Sequence, residues 1–346
     1  MRPISILLLA ATLTATMPLG AETPAALAPG MVNPGYVEPP KWFKESFLIL
    51  NEDIAEARQS GRRVMLYFYQ DGCPYCAKLV RENFGDKAIA EKTQRHFDVI
   101  ALNLWGDREV TDLGGQTMSE KAFAQSIGVQ FTPTLLLLDE AGNTALRLNG
   151  YTPPHQFSVA LDYVAGQEDK KQKFIDYLRA HATDAASGKL HPQPWLQPSP
   201  LELNRRPSGD ERPLLVLFEQ KVCAGCDEMH REGFPRPEVA GLLKRFRIAR
   251  VDIAAQEMLT TPAGKRLSMR DWAREANVVY TPSFAFFDTS GSEVFRVEGY
   301  LRPFHLASSL DYVASGGYRT QPEFQRFIEA RAAARRARGE RVELMK

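Results

Sequence analysis

Four cysteines occur in the 346 residues, and they stand in two pairs, Cys73-Pro74-Tyr75-Cys76 and Cys223-Ala224-Gly225-Cys226. Thiols separated by two residues lie one helical turn apart, close enough to form a disulfide and to resolve a mixed disulfide with a partner. The chemistry this spacing suits is dithiol–disulfide exchange, with Cys73 and Cys223 as nucleophiles and Cys76 and Cys226 as resolving thiols. Other uses fit less well. A zinc site built from two such pairs places them about 15–20 residues apart, whereas 146 residues separate Cys76 from Cys223. Haem attachment needs a histidine after the second cysteine, and Ala77 and Asp227 stand there. A purely structural disulfide across so short a loop stabilises little.

The exchange reaction requires a thiolate, and the elements around each pair are of the kind that supplies one. An apolar, strand-like run precedes each motif, Val64–Tyr69 and Leu214–Phe218, and residues able to form a helix follow. The first cysteine then sits at a helix N-terminus, where free backbone N–H groups and the helix dipole favour negative charge. A second chemical element is Thr132-Pro133, repeated as Thr281-Pro282, each just before an apolar strand. A proline there gives no ladder hydrogen bond. We expect a cis Thr132–Pro133 bond beside Cys73, leaving the Thr132 backbone free to pair with a substrate strand. Thr281 and Pro282 take the same place beside Cys223.

The second half replays the first. At an offset of 150, Phe68, Gln70, Cys73, Cys76, Arg81, Glu82 and Phe84 match Phe218, Gln220, Cys223, Cys226, Arg231, Glu232 and Phe234. At an offset of 149, Thr132, Pro133, Asp139, Gly142, Gly150 and Tyr151 match Thr281, Pro282, Asp288, Gly291, Gly299 and Tyr300, and Leu161–Ala165 matches Leu310–Ala314. One residue of slippage over such a span indicates duplication. Each half reads strand, Cys-helix, strand, helix, Thr-Pro strand, strand, helix: an α/β class with two tandem domains, each a central mixed β-sheet flanked by helices.

Hydrophobic content of 44% and charged content of 25% are those of a globular protein, and a net charge of +1 gives no argument for nucleic acid. Residues 1–21 read as a signal peptide, with Arg2 before the apolar run Ile4–Ala11 and Leu19-Gly20-Ala21 before cleavage. The boundaries that follow are a linker at 22–40, a first domain at 41–183, a Pro-rich linker at 184–212, a second domain at 213–330 and a basic tail at 331–346. Within the first domain, Phe47, Leu48, Ile54 and Ala55 are expected to share the buried face of a helix that begins near Lys44. Trp195 in the linker could pack on either domain. Arg331, Arg335, Arg336 and Arg338 read as a solvated helix face. An exported chain with only paired cysteines suits a bacterial periplasm, where reducing power must be supplied.

On the segments Tyr69–Cys76 and Phe218–His230, the chain resembles the thioredoxin superfamily, as a tandem of thioredoxin-like domains, and within it the exported SoxW-like thioredoxins. The resemblance implies a periplasmic thiol–disulfide oxidoreductase that reduces disulfides in exported partner proteins, fed by a membrane thiol carrier, with no cofactor beyond the cysteine pairs and no metal. The chain departs from ordinary thioredoxins in several places. Gly72 and Val222, not tryptophan, precede the first cysteines. Tyr67 and Leu217 stand where a buried aspartate is usual; Glu219 could serve the second domain instead, but is expected to face solvent. Cys-Pro-Tyr-Cys is also a glutaredoxin motif, yet export argues against glutathione as a partner. The competing readings are a disulfide oxidase or isomerase, a peptide-binding or scaffold module, and metal handling through thiolates.

Overall fold

The computed structural model describes residues 36–182, 185–340 and 342. The expected signal segment at 1–21 and most of the 22–40 segment lie outside the described residues. In chain order the first half contains α1 (Leu50–Gln59), β1 (Arg63–Tyr69), α2 (Pro74–Leu79), α3 (Lys87–His96), β2 (Phe97–Asn103), β3 (Glu109–Thr111), β4 (Thr117–Ser119), α4 (Glu120–Ser126), β5 (Thr134–Leu138), β6 (Thr144–Asn149), α5 (Pro154–Ala165) and α6 (Phe174–His181). The second half contains β7 (Leu214–Glu219), α7 (Ala224–Glu228), α8 (Pro237–Leu243), β8 (Arg247–Asp252), β9 (Met258–Thr260), β10 (Arg266–Ser268), α9 (Met269–Glu275), β11 (Ser283–Phe287), β12 (Glu293–Glu298), α10 (Pro303–Ala314), α11 (Gly317–Thr320) and α12 (Phe324–Ala337).

Each half is built on a four-stranded mixed sheet, in the orders β2-β1-β5-β6 and β8-β7-β11-β12. The pairs β1/β2 and β7/β8 are parallel and the remaining pairs of these sheets antiparallel. Val64–Phe68 and Leu214–Glu219 are buried throughout, as unbroken runs between two helical layers must be. Capping side chains fix the helix starts: Asp86 accepts from the Ile89 N–H, Ser119 from Ala122 and Ser268 from Asp271. The two halves are not separate beads. One cluster of buried side chains includes Leu148, Phe174, Ile175 and Leu178 of the first together with Trp272, Val278, Val279 and Tyr280 of the second.

Outside the redox sites, the structure differs from the sequence reading at three places. Helix α1 starts at Leu50, after Leu48 with φ +62°. Leu48 is buried while Phe47 is 94% exposed, so the expected four-residue face does not form. Within the stretch read as a linker, Trp195 stacks edge-on against Phe234, Leu196 bridges to Ile248, and Leu201 and Leu203 are buried. This half of the stretch is a layer of the second domain. Helix α12 runs on through residue 330; Arg331 pairs with Glu238 and Asp311 and Arg335 with Glu238 and Glu340, whereas Arg336 and Arg338 are exposed.

Candidate redox sites

Both cysteine pairs lie where a buried central strand gives way to a helix, and both are closed as disulfides, Cys73–Cys76 and Cys223–Cys226. Cys73 and Cys223 each occupy the residue before the first helical turn, and the N–H groups of Cys76 and Cys226 point at their sulfurs over 3.0 and 3.1 Å. When the pair is reduced, that N–H stabilises a thiolate on the first cysteine. The approaches differ. Gly72 turns the chain at φ +74°, with Pro74 pre-set in the first turn of α2. Val222 is 54% exposed beside Cys223, which is itself 1% exposed.

The Thr132–Pro133 and Thr281–Pro282 bonds are both cis. The carbonyl oxygen of Thr132 lies 3.4 Å from Cys73 Sγ. In the second half, Pro282 packs against the motif itself: a Cβ at Gly225 would sit 3.1 Å from Pro282 Cδ and 3.5 Å from Tyr300 Cβ. The structure therefore gathers Cys73, Cys76, Thr132 and Pro133 at one place, and Cys223, Cys226, Thr281 and Pro282 at another.

Four features were not read from the sequence. First, Cys73 opens into a cavity of about 230 Å³ between the halves, walled by Phe131, Tyr300, Leu301, Phe324 and Ile328. Second, Tyr75, between the first two cysteines, reaches into the second half. Its hydroxyl accepts the Arg302 N–H at 3.2 Å, its ring lies edge-on to His305, and burial raises its pKa well above the ordinary phenol value. Third, the Tyr280 hydroxyl sits between the carbonyls of Asn149 (2.6 Å) and Glu298 (2.8 Å), the last residues of β6 and β12. Asn149 also donates to the Glu298 carboxyl, whose pKa burial raises.

The fourth is a buried acid–imidazole pair. Glu219, expected at the surface, is 1% exposed, and its carboxylate lies 2.8 Å from His230 Nε2. The Gln193 amide nitrogen faces His230 Nδ1 at 3.0 Å. An amide N–H can only donate, so Nδ1 accepts and Nε2 carries the proton given to Glu219. His191 stacks on His230 and meets Asp227, which also accepts from Ser187. Burial pushes the Asp227 carboxyl up, but these hydrogen bonds outweigh it and hold it below the usual range. A histidine four residues after Cys226, with an acid ending the preceding strand, was the available signal. Tyr69 and Val80 occupy the matching positions of the first half.

A comparison with curated proteins found no match. Among solved structures, the chain is similar to a thioredoxin-fold protein from Helicobacter pylori (28% identity, TM-score 0.30, 35% of this chain and 79% of that one). It is also similar to a thioredoxin from Thermus thermophilus (26%, TM-score 0.27, 34% and 83%) and to the periplasmic thioredoxin SoxS from Paracoccus pantotrophus (24%, TM-score 0.23, 31% and 99%). The family model for a thioredoxin-like domain matches residues 50–165 and again 205–314, so the chain belongs to the thioredoxin-like domain family, once in each half.

Proposed function

We propose that the chain is an exported thiol–disulfide oxidoreductase of SoxW-like type that reduces disulfides in partner proteins of the periplasm, recharged by a membrane thiol carrier. The observation that carries the reading is the pairing, in each half, of a Cys-x-x-Cys at a strand-to-helix junction with a cis Thr-Pro loop, Cys73 Sγ lying 3.4 Å from the Thr132 carbonyl. Cys73 or Cys223 attacks the substrate disulfide, and Cys76 or Cys226 then resolves the mixed disulfide. Thr132 and Thr281 offer backbone to a substrate strand, with Pro133 and Pro282 holding each loop. Export rests on the character of residues 1–21; among the described residues no helix is long and apolar enough to cross a membrane.

The test is reduction of a protein disulfide by the pre-reduced chain, read by alkylation of the released thiols. Cys73→Ser and Cys223→Ser should each lower it, and undiminished reduction by the double variant sinks the proposal. The direction of flow is read from the reduction potentials. A value of about −270 mV is that of a reductant, and about −120 mV would make the chain an oxidant.

A further inference from the structure

The two redox helices are linked across the contact between the halves. Tyr75, inside the first motif, is held by the backbone N–H of Arg302. The guanidinium of the same Arg302 pairs with Glu228, two residues beyond Cys226, at 2.5 Å. Helices α2 and α7 are therefore joined through a single residue. Tyr300 touches both sites: it lines the cavity onto which Cys73 opens, and its Cβ lies 3.5 Å from where a Gly225 Cβ would stand, between Cys223 and Cys226.

The surfaces beside the cis-proline loops are engaged in the same contact. Phe131 packs against Phe295 and Phe324, and its counterpart Tyr280 is bonded to the carbonyl of Asn149. Each half thus presents its exchange face to the other. The segment between them, Tyr300-Leu301, is lightly held at its tip. The Tyr300 hydroxyl is buried without a hydrogen-bond partner among the described residues, so its displacement into the cavity breaks no hydrogen bond among them. Cys223 is 1% exposed, so access to its sulfur requires movement of the residues around it.

We propose that the two cysteine pairs exchange electrons directly within one chain, an inference that rests on the oxidoreductase reading above. Tyr300 and Leu301 swing aside. The Cys223 thiolate attacks Cys73 Sγ, the Cys73–Cys76 bond breaks, and the Cys76 thiolate leaves. The Cys226 thiolate then attacks Cys223 Sγ, closing Cys223–Cys226 and releasing the Cys73 thiolate. Two electrons pass from the second pair to the first. The two protons lost by Cys223 and Cys226 are balanced by two taken up at Cys73 and Cys76. The reverse transfer passes through the same Cys73–Cys223 intermediate.

Trapping that intermediate tests the inference in the full-length chain. In Cys76→Ser/Cys226→Ser, mild oxidation with diamide should yield a Cys73–Cys223 bond inside one chain, seen as a linked peptide in a non-reduced digest. Its rate should be unchanged over a tenfold dilution of protein. A second variant needs no oxidant and only one substitution. In Cys226→Ser carrying the Cys73–Cys76 disulfide, the free Cys223 should displace Cys76, which then becomes the alkylated residue. Formation of dimers only, at a rate that falls on dilution, or persistence of free Cys223 in both variants, overturns the inference. Reduction of an external protein disulfide is measured separately. A chain active in that assay but lacking the internal bond refutes the relay alone.

Discussion

Replacing either member of the buried Glu219–His230 pair should destabilise the second domain, and the two replacements should be unequal. Glu219 and His230 side chains are 1% and 2% exposed and 2.8 Å apart. His230→Leu removes the N–H seen at the carboxylate and leaves an acid in the interior, at a cost of about 3–5 kcal/mol. Glu219→Leu leaves a neutral imidazole N–H without its acceptor, a smaller loss of about 1–3 kcal/mol. The double Leu variant replaces both groups by hydrocarbon of similar size and should fall near the wild type. With a urea m-value of about 2 kcal/mol/M, His230→Leu lowers the midpoint of the second domain by about 2 M. Equilibrium urea unfolding, followed by the fluorescence of Trp195 and Trp272, reads all of these. Two single variants each within about 0.5 kcal/mol of wild type, or a double variant that loses the sum of the singles, would refute the account, since either result means that the two side chains do not depend on one another.

The contact between the halves gives two further tests. The raised pKa of Glu298 means that its contribution to stability is fully present below the unfolded carboxyl value and is lost as pH rises through the folded one. Glu298→Gln keeps an acceptor for Asn149 without an ionisable group. It should therefore be more stable than wild type at pH 8 and no different in acid, and a constant difference across pH would contradict this. Gly299→Ala forces a Cβ to within 2.9 Å of the Tyr280 ring at φ +94°. It should cost about 1–3 kcal/mol beyond the backbone strain shared with Gly209→Ala, where a Cβ meets no atom of the described residues within 4 Å at φ +79°. Thermal unfolding of the two variants side by side measures the difference.

The tandem architecture was legible because the duplication repeats chemistry-bearing residues at a nearly constant offset, and because all-apolar runs before each motif admit only a central strand. The start of the second domain was not. Pro39-Pro40-Lys41-Trp42-Phe43-Lys44 has a counterpart in Pro192-Gln193-Pro194-Trp195-Leu196-Gln197. Trp42 packs edge-on to Phe84 as Trp195 does to Phe234, and the N–H groups of Lys44 and Gln197 bond to the carbonyls of Val99 and Ile248, both at 2.8 Å. The offset there is 153, not 150, because the chain between this layer and the first strand of the sheet differs in the two halves, and the prolines around Trp195 read as spacer. Phe47 failed for another reason. Periodicity alone extended the helix backwards past Leu48, whose positive φ ends the pattern and turns Phe47 outward. Glu219 was misplaced because a charged residue at a strand end is normally solvated, and its partner His230 lies on a different element.

The inner residues of the two motifs, Pro-Tyr and Ala-Gly, meet different surroundings. Tyr75 crosses into the second half, where the Arg302 N–H and the His305 ring receive it. At the matching position the space is already filled. A Cβ at Gly225 would press on Pro282 at 3.1 Å and already touch Tyr300 at 3.5 Å, both of its own half, and a tyrosine has no room. One motif supplies a side chain to the contact and the other leaves room for Tyr300, which lines the Cys73 cavity, so the two redox helices lie on either side of Tyr300 and Arg302. On this argument the glycine in Cys-Ala-Gly-Cys is there for the close approach of Pro282 and Tyr300 within the second half. Enlarging it should disturb the first site as well as the second, an effect that no account of two independent domains predicts.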